Sequence, residues 1–344
     1  MMKLFYDPLQ NKWGHRHSEK RLVWGKQRKS LPRQPFIPSL SFKASRRGKR
    51  IGPLVGILTS TKGTTFAGNR TTFRRIHHAL QLRGGIVFVF TPLGVKHHHI
   101  NAYIYDGGNR RWIKARVPLP DVIYNRVPVR KDEETEEIQS CLTHLESLGI
   151  PYFNAGFLDK WKMYKCLGHD PVLEGHLPNT TEISSSELQK ALYQWGEFYL
   201  KPKAGQKGDG IWAVELASNG TIICRTHETT TQYGTVEELW NGFRPDSDTT
   251  SYLLQRKVHL ATHNGKPYDF RLMMQKVSGV WELTGAGARL AGEESITTHV
   301  PKGGELLALN ELEPPVDLEH LTAICRRAAE RLEESFSPLE ELSF

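Results

Sequence analysis

The sequence predicts an α/β fold in the first half of the chain and an α+β fold in the second half. In the first half, apolar strands at residues 52–60 and 86–90 flank a basic amphipathic helix at 71–82. A strand, a helix and a second strand in this order indicate a parallel sheet covered by a helix. In the second half, three β-rich runs follow one another between residues 251 and 290 with no helical pattern between them. Such runs predict antiparallel pairing.

Turn residues and helix-ending signals predict the other elements. An Asp-Gly-Gly-Asn turn predicts a hairpin over residues 101–114. An acidic run that opens residues 131–148, with glycine and proline just beyond them, predicts one helix. Apolar residues at helical spacing predict a packed helix over 316–335. Further strands are predicted at 121–125, 152–153, 182, 251–260, 268–276 and 281–290, and further helices at 159–167, 187–195 and 235–240.

Length and composition indicate a globular protein with two or three domains. The chain has 344 residues, 38% of them hydrophobic, and no apolar run long enough to span a membrane. Its first residues lack the apolar segment of a signal peptide. The four cysteines lie far apart without a Cys-x-x-Cys pair, which favours neither a zinc site nor a disulfide framework. We therefore expect a reducing, cytoplasmic location.

The positive charge of the chain is concentrated near its start. The net charge is +9, and residues 1–50 carry 14 Lys and Arg but 2 Asp and Glu, a balance of +12. The remaining residues carry 32 basic and 35 acidic side chains, a balance of −3. Residues 1–50 are therefore a basic arm or a small β element, because Leu22, Val23 and Trp24 are typical of a strand. Nucleic acid is not expected as a partner of the body of the protein.

Residues 197–216 carry the most informative pattern. Lys201 and Pro202 end an apolar strand, a glycine- and lysine-rich loop follows, and a second strand starts at once at 211–216. Glycines let the backbone approach an anionic group, and lysines in such a loop favour phosphate. The loop residues assigned to this contact are Gly205, Gln206, Lys207, Gly208 and Gly210.

The order of the loop residues excludes three common phosphate motifs. A P-loop requires Gly-Lys followed by Ser or Thr and a helix, but Asp209 follows Gly208. A Rossmann fingerprint also opens a helix, whereas this loop opens a strand. Protein kinases place the lysine after the glycine loop, and here Lys201 precedes it. Two interpretations remain: a flap that closes over a triphosphate, and an ordinary glycine-rich hairpin with exposed lysines.

Six charged residues stand at positions of the second half that we assign to strands. Each of them alone would be interpreted as part of a solvated face. Together with the glycine loop they form an order in which two lysines precede a short hinge, and Asp-x-Arg and a further Arg follow it. The six residues are Lys160, Lys201, Lys257, Asp269, Arg271 and Arg289.

With these motifs the chain resembles the ATP-grasp superfamily, and most closely its endospore coat-associated YheC/YheD group. The resemblance covers about residues 50–344. It rests on several motifs in the expected order and spacing. They are NAGFLDKWKMYKCLGHDPVLEGHLPNTTEI (154–183), FYLKPKAGQKGDGI (198–211), LLQRKVHLA (253–261), YDFRLMMQK (268–276) and WELTGAGARLAGEESITTHVPKGG (281–304), with GPLVGIL (52–58) and LPDVIYNR (119–126) in the preceding domain.

The resemblance implies a role for each of these residues. Lys160 and Lys201 would hold the α- and β-phosphates of ATP, and the loop at 205–210 would cover the triphosphate. The adenine hinge would comprise Gln255, Arg256, Lys257 and Val258, acting mainly through backbone groups. Arg271 and Arg289 would face the γ-phosphate or an acyl phosphate, where fixed positive charge stabilises developing negative charge, and Asp269 would orient them. Such enzymes activate a carboxylate as an acyl phosphate and join it to an amine or a thiol.

The sequence departs from the pattern of this group at two places. His299 stands where the group usually has Asn, and we do not interpret it as a metal ligand. The group also binds Mg²⁺ through an Asp strand and a Glu-x-Asn strand that follow a segment similar to residues 339–344, where this chain ends. We therefore expect ATP as a cofactor, and Mg²⁺ as the family's metal, but we assign no metal ligand in this chain.

These observations predict three segments and three candidate functions. The segments are residues 1–50, a pre-ATP-grasp α/β domain at 51–153, and an ATP-grasp domain at 154–344 with a lid at 154–252 and an incomplete C-terminal subdomain at 253–344. The first hypothesis is a spore-coat-associated protein that binds ATP with impaired or no ligase activity, in contact with ATP and coat proteins. The second is a carboxylate–amine ligase that uses ATP and Mg²⁺. The third is a binder of nucleic acid or another anionic surface that acts through residues 1–50.

Overall fold

The computed structural model describes residues 1–18, 21–33, 40–154, 156–205, 208–243, 252–292, 298 and 303–344. The predictions made for Gln206, Lys207 and His299 lie outside these residues. The chain divides into two compact units, which we call unit 1 (Met1–Phe157) and unit 2 (Leu158–Phe344). Each unit is described by itself.

The start of unit 1 forms two small sheets in which most strand pairs are antiparallel. Strands β2-β1-β5 make one sheet, and strands β4-β3-β7-β6 make the other. Alternate residues such as Leu4 and Tyr6 are fully buried, and Trp13 and Trp24 pack ring against ring at 4.9 Å. This apolar packing explains why a strongly basic segment is folded. The strands are β1 (Met2–Asp7), β2 (Lys12–His15), β3 (Arg21–Trp24), β4 (Lys29–Pro32), β5 (Leu40–Ala44), β6 (Arg46–Arg47) and β7 (Arg50–Ile51).

The rest of unit 1 contains the predicted parallel sheet. Its strands run in the order β12-β13-β11-β8-β15-β16, β14 pairs with β13, and β8, β11, β15 and β16 are parallel. All five residues of β11 are buried, as expected for a strand inside an α/β unit. The elements are β8 (Leu54–Leu58), β9 (Thr61–Lys62), β10 (Thr65–Phe66), α1 (Arg70–Arg83), β11 (Ile86–Phe90), β12 (Val95–Lys96), β13 (His99–Asp106), β14 (Arg111–Val117), β15 (Val122–Asn125), α2 (Arg130–Glu133), α3 (Glu136–Ser147) and β16 (Tyr152–Phe153).

The prediction of one helix over residues 131–148 is wrong, because the helix breaks between α2 and α3. Thr135, at the N-cap position of the second helix, has an extended backbone with ψ 146°. The side chain of Glu133 points inward, where it accepts hydrogen bonds from Asn125 Nδ2 at 2.8 Å and from the backbone N–H of Phe157 at 2.6 Å. These contacts fix Glu133 in the interior, and its burial raises the pKa of its carboxyl group.

Unit 2 is built on two antiparallel sheets, as predicted for the second half. One sheet has the order β17-β22-β18-β19-β20-β21, and the other has the order β23-β24-β25-β26 with β27 paired to β24. The strands are β17 (Thr180–Glu182), β18 (Glu197–Pro202), β19 (Trp212–Leu216), β20 (Ile222–Arg225), β21 (Thr230–Tyr233), β22 (Tyr252–Arg256), β23 (Thr262–His263), β24 (Lys266–Val277), β25 (Val280–Leu290), β26 (Glu305–Leu307) and β27 (Glu341–Ser343). The helices are α4 (Lys160–Gly168), α5 (Ser185–Trp195), α6 (Val236–Gly242) and α7 (Leu318–Phe336).

Each sheet of unit 2 has its own core. Helix α5 packs its buried Leu188 and Leu192 with Phe198 and Leu254 of the first sheet. Helix α7 covers the second sheet, and its apolar stripe joins the buried Trp281 in one cluster. The predicted stripe in α7 is therefore confirmed as core. The two cores place the loop after β18 and the β24–β25 hairpin on separately stabilised sheets.

Candidate functional site

Lys160 lies at the first residue of helix α4, and its ammonium group reaches the base of the glycine loop. Asp159 caps this helix by accepting the backbone N–H of Lys162 at 2.9 Å. From this position Lys160 Nζ donates to the carbonyl oxygens of Pro202, at 2.8 Å, and of Gly205. The helix predicted at 159–167 is confirmed, and the listing of Lys160 among strand positions is wrong, because the cap at Asp159 starts a helix there. Its contact with Gly205 joins two residues that are 45 positions apart in the sequence.

Lys201 lies on β18, one residue before the strand ends, and its side chain is largely withdrawn from solvent. Its ammonium group donates to Gln255 Oε1 at 2.5 Å and lies 5.0 Å from the centre of the Tyr199 ring. Burial lowers the pKa of Lys201 to about 8. Lys201 makes no ion pair with any residue that the structure describes. A desolvated ammonium group without a carboxylate partner is ready to accept an anionic ligand.

The side chain of Gln255 is held by a hydrogen-bonded chain that fixes which of its atoms faces Lys201. Thr180 Oγ1 donates to the carbonyl oxygen of Pro178 at 2.8 Å. The same hydroxyl must therefore accept from Gln255 Nε2, which lies 3.0 Å away. The amide group of Gln255 consequently presents its oxygen to Lys201. The family resemblance implies a mainly backbone role for Gln255, and no sequence pattern indicates Thr180, whose strand pairs with β22 at Thr180↔Gln255.

The glycine loop is closely packed at its base. A Cβ atom on Gly205 would lie 2.3 Å from Pro202 Cγ, so only glycine fits at this position. Gly208 and Gly210 have φ of 80° and 71°, a backbone conformation that side chains disfavour. Steric constraints thus explain the glycines of the loop, and the backbone carbonyl oxygen of Gly205 lies within hydrogen-bonding reach of Lys160.

Two backbone N–H groups of the hinge segment, residues 255–258, already donate hydrogen bonds to neighbouring parts of the chain. The backbone N–H groups of Arg256 and Lys257 donate to the carbonyl oxygens of Asn179 at 2.8 Å and of Glu197 at 3.3 Å. The side chain of Lys257, which follows β22 and does not lie on a strand, pairs with the Glu197 carboxylate and holds its pKa below the usual range. Val258 is 54% exposed, and its N–H donates to no residue that the structure describes. Among these three residues, Val258 is therefore the one whose backbone N–H can still bind adenine. That this segment binds adenine stays a prediction.

Asp269, Arg271 and Arg289 form a second polar cluster, on β24 and β25. Asp269 and Arg289 face each other in register, and Arg289 donates to both carboxylate oxygens, at 2.8 and 2.6 Å. Thr298 Oγ1 also donates to Asp269, at 2.7 Å. Arg271 is an exposed residue, yet partial burial and then the Arg289 guanidinium lower its pKa, whereas Asp269 raises it. Asp269 is thus placed to orient Arg289, and Thr298 is a partner that the sequence did not indicate.

Lys201 and Arg271 share no contact within the described part of unit 2. The phosphate-facing roles of the two arginines therefore stay predictions. The described residues contain no group of three or more His, Cys, Asp or Glu side chains that could hold a metal ion.

Comparison with known proteins identifies the family. A sequence model of the group described as "YheC/D like ATP-grasp" matches residues 149–344, more than half of the chain. The chain belongs to the YheC/D-like ATP-grasp family. The resemblance stated from the motifs is confirmed, and the mixed α/β architecture of the chain is that of an ATP-grasp protein.

Two curated relatives come from Bacillus subtilis (strain 168). The chain is 30% identical over 275 residues to endospore coat-associated protein YheD, covering 76% of this chain and 60% of YheD. It is 23% identical over 274 residues to endospore coat-associated protein YheC, covering 75% of each. The chain thus spans about 60% of the length of YheD.

Similar solved structures include two enzymes of D-alanine chemistry. D-alanyl-alanine synthetase A from Vibrio cholerae O1 is 14% identical, with a TM-score of 0.48 and coverage of 85% of this chain and 84% of the other. D-alanine–D-alanine ligase from Bacillus anthracis is 12% identical, with a TM-score of 0.46 and coverage of 84% and 81%.

Proposed function

We propose that unit 2 binds ATP through Lys160, Lys201 and the glycine loop. The observation that carries this proposal is the position of the two lysines at the base of the loop. Lys160 donates to loop carbonyl oxygens, and Lys201 donates to a neutral amide oxygen. A phosphate oxygen is a stronger acceptor for an ammonium group than either of these, because the hydrogen bond becomes charge-assisted on both sides. A triphosphate can therefore displace the present partners.

The donor set fits a nucleotide better than a small anion. Lys160 contacts both ends of the segment 202–205, so a phosphate group bound there would touch the loop that has to close over it. The hinge starts at the end of β22, the strand that pairs with β18, and continues beyond it, so a base at Val258 and phosphates at Lys201 would belong to one elongated ligand. ATP supplies both parts. We propose that ATP binds together with Mg²⁺, as the family implies.

A carboxylate–amine ligase that acts through an acyl phosphate is the second candidate. The Asp269–Arg289 pair favours it, because a guanidinium held on two points is a fixed positive charge for a phosphoryl group. The expectation that this form has impaired or no ligase activity stays a prediction. ATP hydrolysis that requires both Mg²⁺ and Arg289 would support the ligase.

The deciding experiment separates binding from chemistry. Equilibrium binding of ATP is measured for the wild type, for Lys160→Met with Lys201→Met, and for Lys190→Met as a control lysine on the exposed face of α5. We expect saturable binding that the double variant loses by at least about tenfold and that the control keeps. Undetectable binding at millimolar ATP would refute the proposal. Phosphate release with and without Mg²⁺ is then measured on the same samples.

We further infer an association with the endospore coat, because the curated relatives YheD and YheC are both named endospore coat-associated proteins. Fractionation of purified spores with an antibody against this chain tests it, and we expect the chain in the coat extract. Its recovery in the core fraction alone would contradict the inference. None of the described helices has the length and apolar character needed to cross a membrane.

A further inference from the structure

The two units of the chain carry opposite charge. Unit 1 contains 27 Lys and Arg and 10 Asp and Glu, a balance of +17, whereas unit 2 contains 19 and 27, a balance of −8. The excess of basic residues does not end at residue 50, because it continues through the sheet of unit 1. A folded unit of this charge attracts polyanions over distances comparable to the Debye length.

Within residues 1–131 the acidic side chains do little to neutralise the positive charge. Residues 1–131 contain all 27 of its basic side chains and four acidic ones. Asp106 is 3% exposed and accepts the backbone N–H groups of the turn that follows β13. Asp121 accepts from Arg50 and from the backbone N–H of Leu54. The remaining two are Asp7, which caps its own turn, and Glu19, which lies outside the described residues.

Four strands bring basic side chains together around His99 at the start of β13. Burial lowers the pKa of His99, and the positive charges of Arg116, Lys29, Lys96 and His98 lower it further. Lys96 pairs in register with His99, and Arg116 on β14 pairs in register with Asn101, two residues further along β13. Lys96 and Arg116 therefore lie on the same face of this sheet, and Lys29 lies on β4. We call Lys29, Lys96 and Arg116 the basic cluster. All three are exposed, and their side chains form no ion pair with a described residue.

The form of the basic cluster indicates an extended ligand. Its three side chains are exposed and lie on separate strands, so they do not line a buried pocket that a single small anion would fill. The aromatic side chains of unit 1 are mostly buried, and Phe157, at 37%, is the one aromatic ring among its described large exposed apolar residues. Stacking on bases, which single-stranded nucleic acid requires, therefore has little support here. Charge alone can recognise a chain of phosphates.

We propose that the basic cluster of unit 1 binds a phosphate polymer through its backbone phosphates, without base recognition. This binding does not depend on nucleotide binding in unit 2. Three phosphate contacts predict a slope of about −3 in the logarithm of affinity against the logarithm of salt. Affinity should then fall roughly 40-fold between about 50 and 200 mM salt.

The test measures binding of the full chain to three labelled probes: a short DNA duplex, inorganic polyphosphate and poly-glutamate. The triple variant Lys29→Gln, Lys96→Gln, Arg116→Gln is compared with Lys43→Gln, Lys62→Gln, Arg75→Gln, which removes the same charge from other exposed positions of unit 1. We expect the cluster variant to lose at least about tenfold in affinity and most of the salt slope. The matched variant should stay within about threefold of the wild type. Unchanged circular dichroism and melting temperature confirm folding of both variants.

The outcomes separate the possible ligands. Binding to both phosphate probes, or to duplex DNA alone, supports the proposal, and the difference tells whether the shape of a duplex is needed. Equal losses in both triple variants would overturn it, because the attraction would then be diffuse. Poly-glutamate bound as tightly as the phosphate probes would also overturn it and would indicate an acidic protein partner. No binding at low salt to any probe is the third contrary result.

Discussion

The pH dependence of ATP binding tests the environment that the structure gives to Lys201. The pKa of this lysine is lowered by burial to about 8, so the free protein loses the ammonium proton within an ordinary assay range. With this pKa, roughly nine-tenths of the lysine is protonated at pH 7 and roughly one-tenth at pH 9. If only the ammonium form binds phosphate, the apparent affinity should fall about tenfold between these pH values.

The same shift in pKa predicts an effect of opposite sign on stability. Lysine has a pKa of 10.5 when unperturbed and about 8 at this site. The unfolded chain therefore binds more protons than the folded one between these values, and the free energy of unfolding should rise with pH across this window. At pH 7 the buried ammonium costs about 3 kcal/mol, at 1.36 kcal/mol per pKa unit. Lys201→Met should thus bind ATP weakly and yet unfold at a higher urea concentration than the wild type at pH 7.

The assay is titration calorimetry with ATP from about pH 7 to 9.5, where the terminal phosphate is already ionised. Lys201→Arg stays charged throughout and should give a flat profile. Gln255→Glu places a carboxylate beside Lys201, so the fall in affinity should move to higher pH. A flat wild-type profile, or a parallel fall in Lys201→Arg, would refute the reasoning.

Three further predictions concern side-chain partners in unit 2. Thr180→Val removes the acceptor that orients Gln255 and should weaken ATP binding about fivefold in calorimetry, whereas Thr180→Ser should bind normally; equal losses in both would remove the orienting role. Arg289→Ala leaves the Asp269 carboxylate without its two-point partner and should lower the free energy of unfolding in urea by about 1–3 kcal/mol, with a smaller loss for Arg289→Lys; an unchanged value would contradict the pairing. Trp281→Ala removes a side chain that is 2% exposed and should cost about 3–5 kcal/mol in the same measurement; a loss below about 1 kcal/mol would show that its core can collapse.

Elements with strong local signals could be predicted from the sequence alone. Five consecutive apolar residues gave β11 its observed bounds, Ile86–Phe90, and the Asp-Gly-Gly-Asn turn lies between β13 and β14 as expected. The apolar stripe of α7 could also be predicted, because the spacing of apolar residues along a helix can be seen within a short stretch of sequence. These patterns depend on residues within a few positions of one another.

Features that depend on distant residues could not be predicted. The inward position of Glu133, at the end of α2, depends on its contacts with Asn125 and with Phe157, 24 positions away. The chain from Lys201 through Gln255 to Thr180 exists because β22 pairs with both β18 and β17, which joins residues 54 and 75 positions apart. A single sequence contains no record of such pairing. The order of the motifs nevertheless brought Lys160, Lys201 and the loop into the candidate site.

The most direct test of the central claim is equilibrium dialysis of the full chain against labelled ATP at pH 7.5, with the Lys160→Met, Lys201→Met double variant and the Lys190→Met control in parallel. We predict one saturable site per chain in the wild type and in the control, weakened at least about tenfold in the double variant. Binding that is equal in all three proteins, or that stays undetectable in the wild type at millimolar ATP, would contradict the assignment of the glycine loop and its two lysines to a nucleotide.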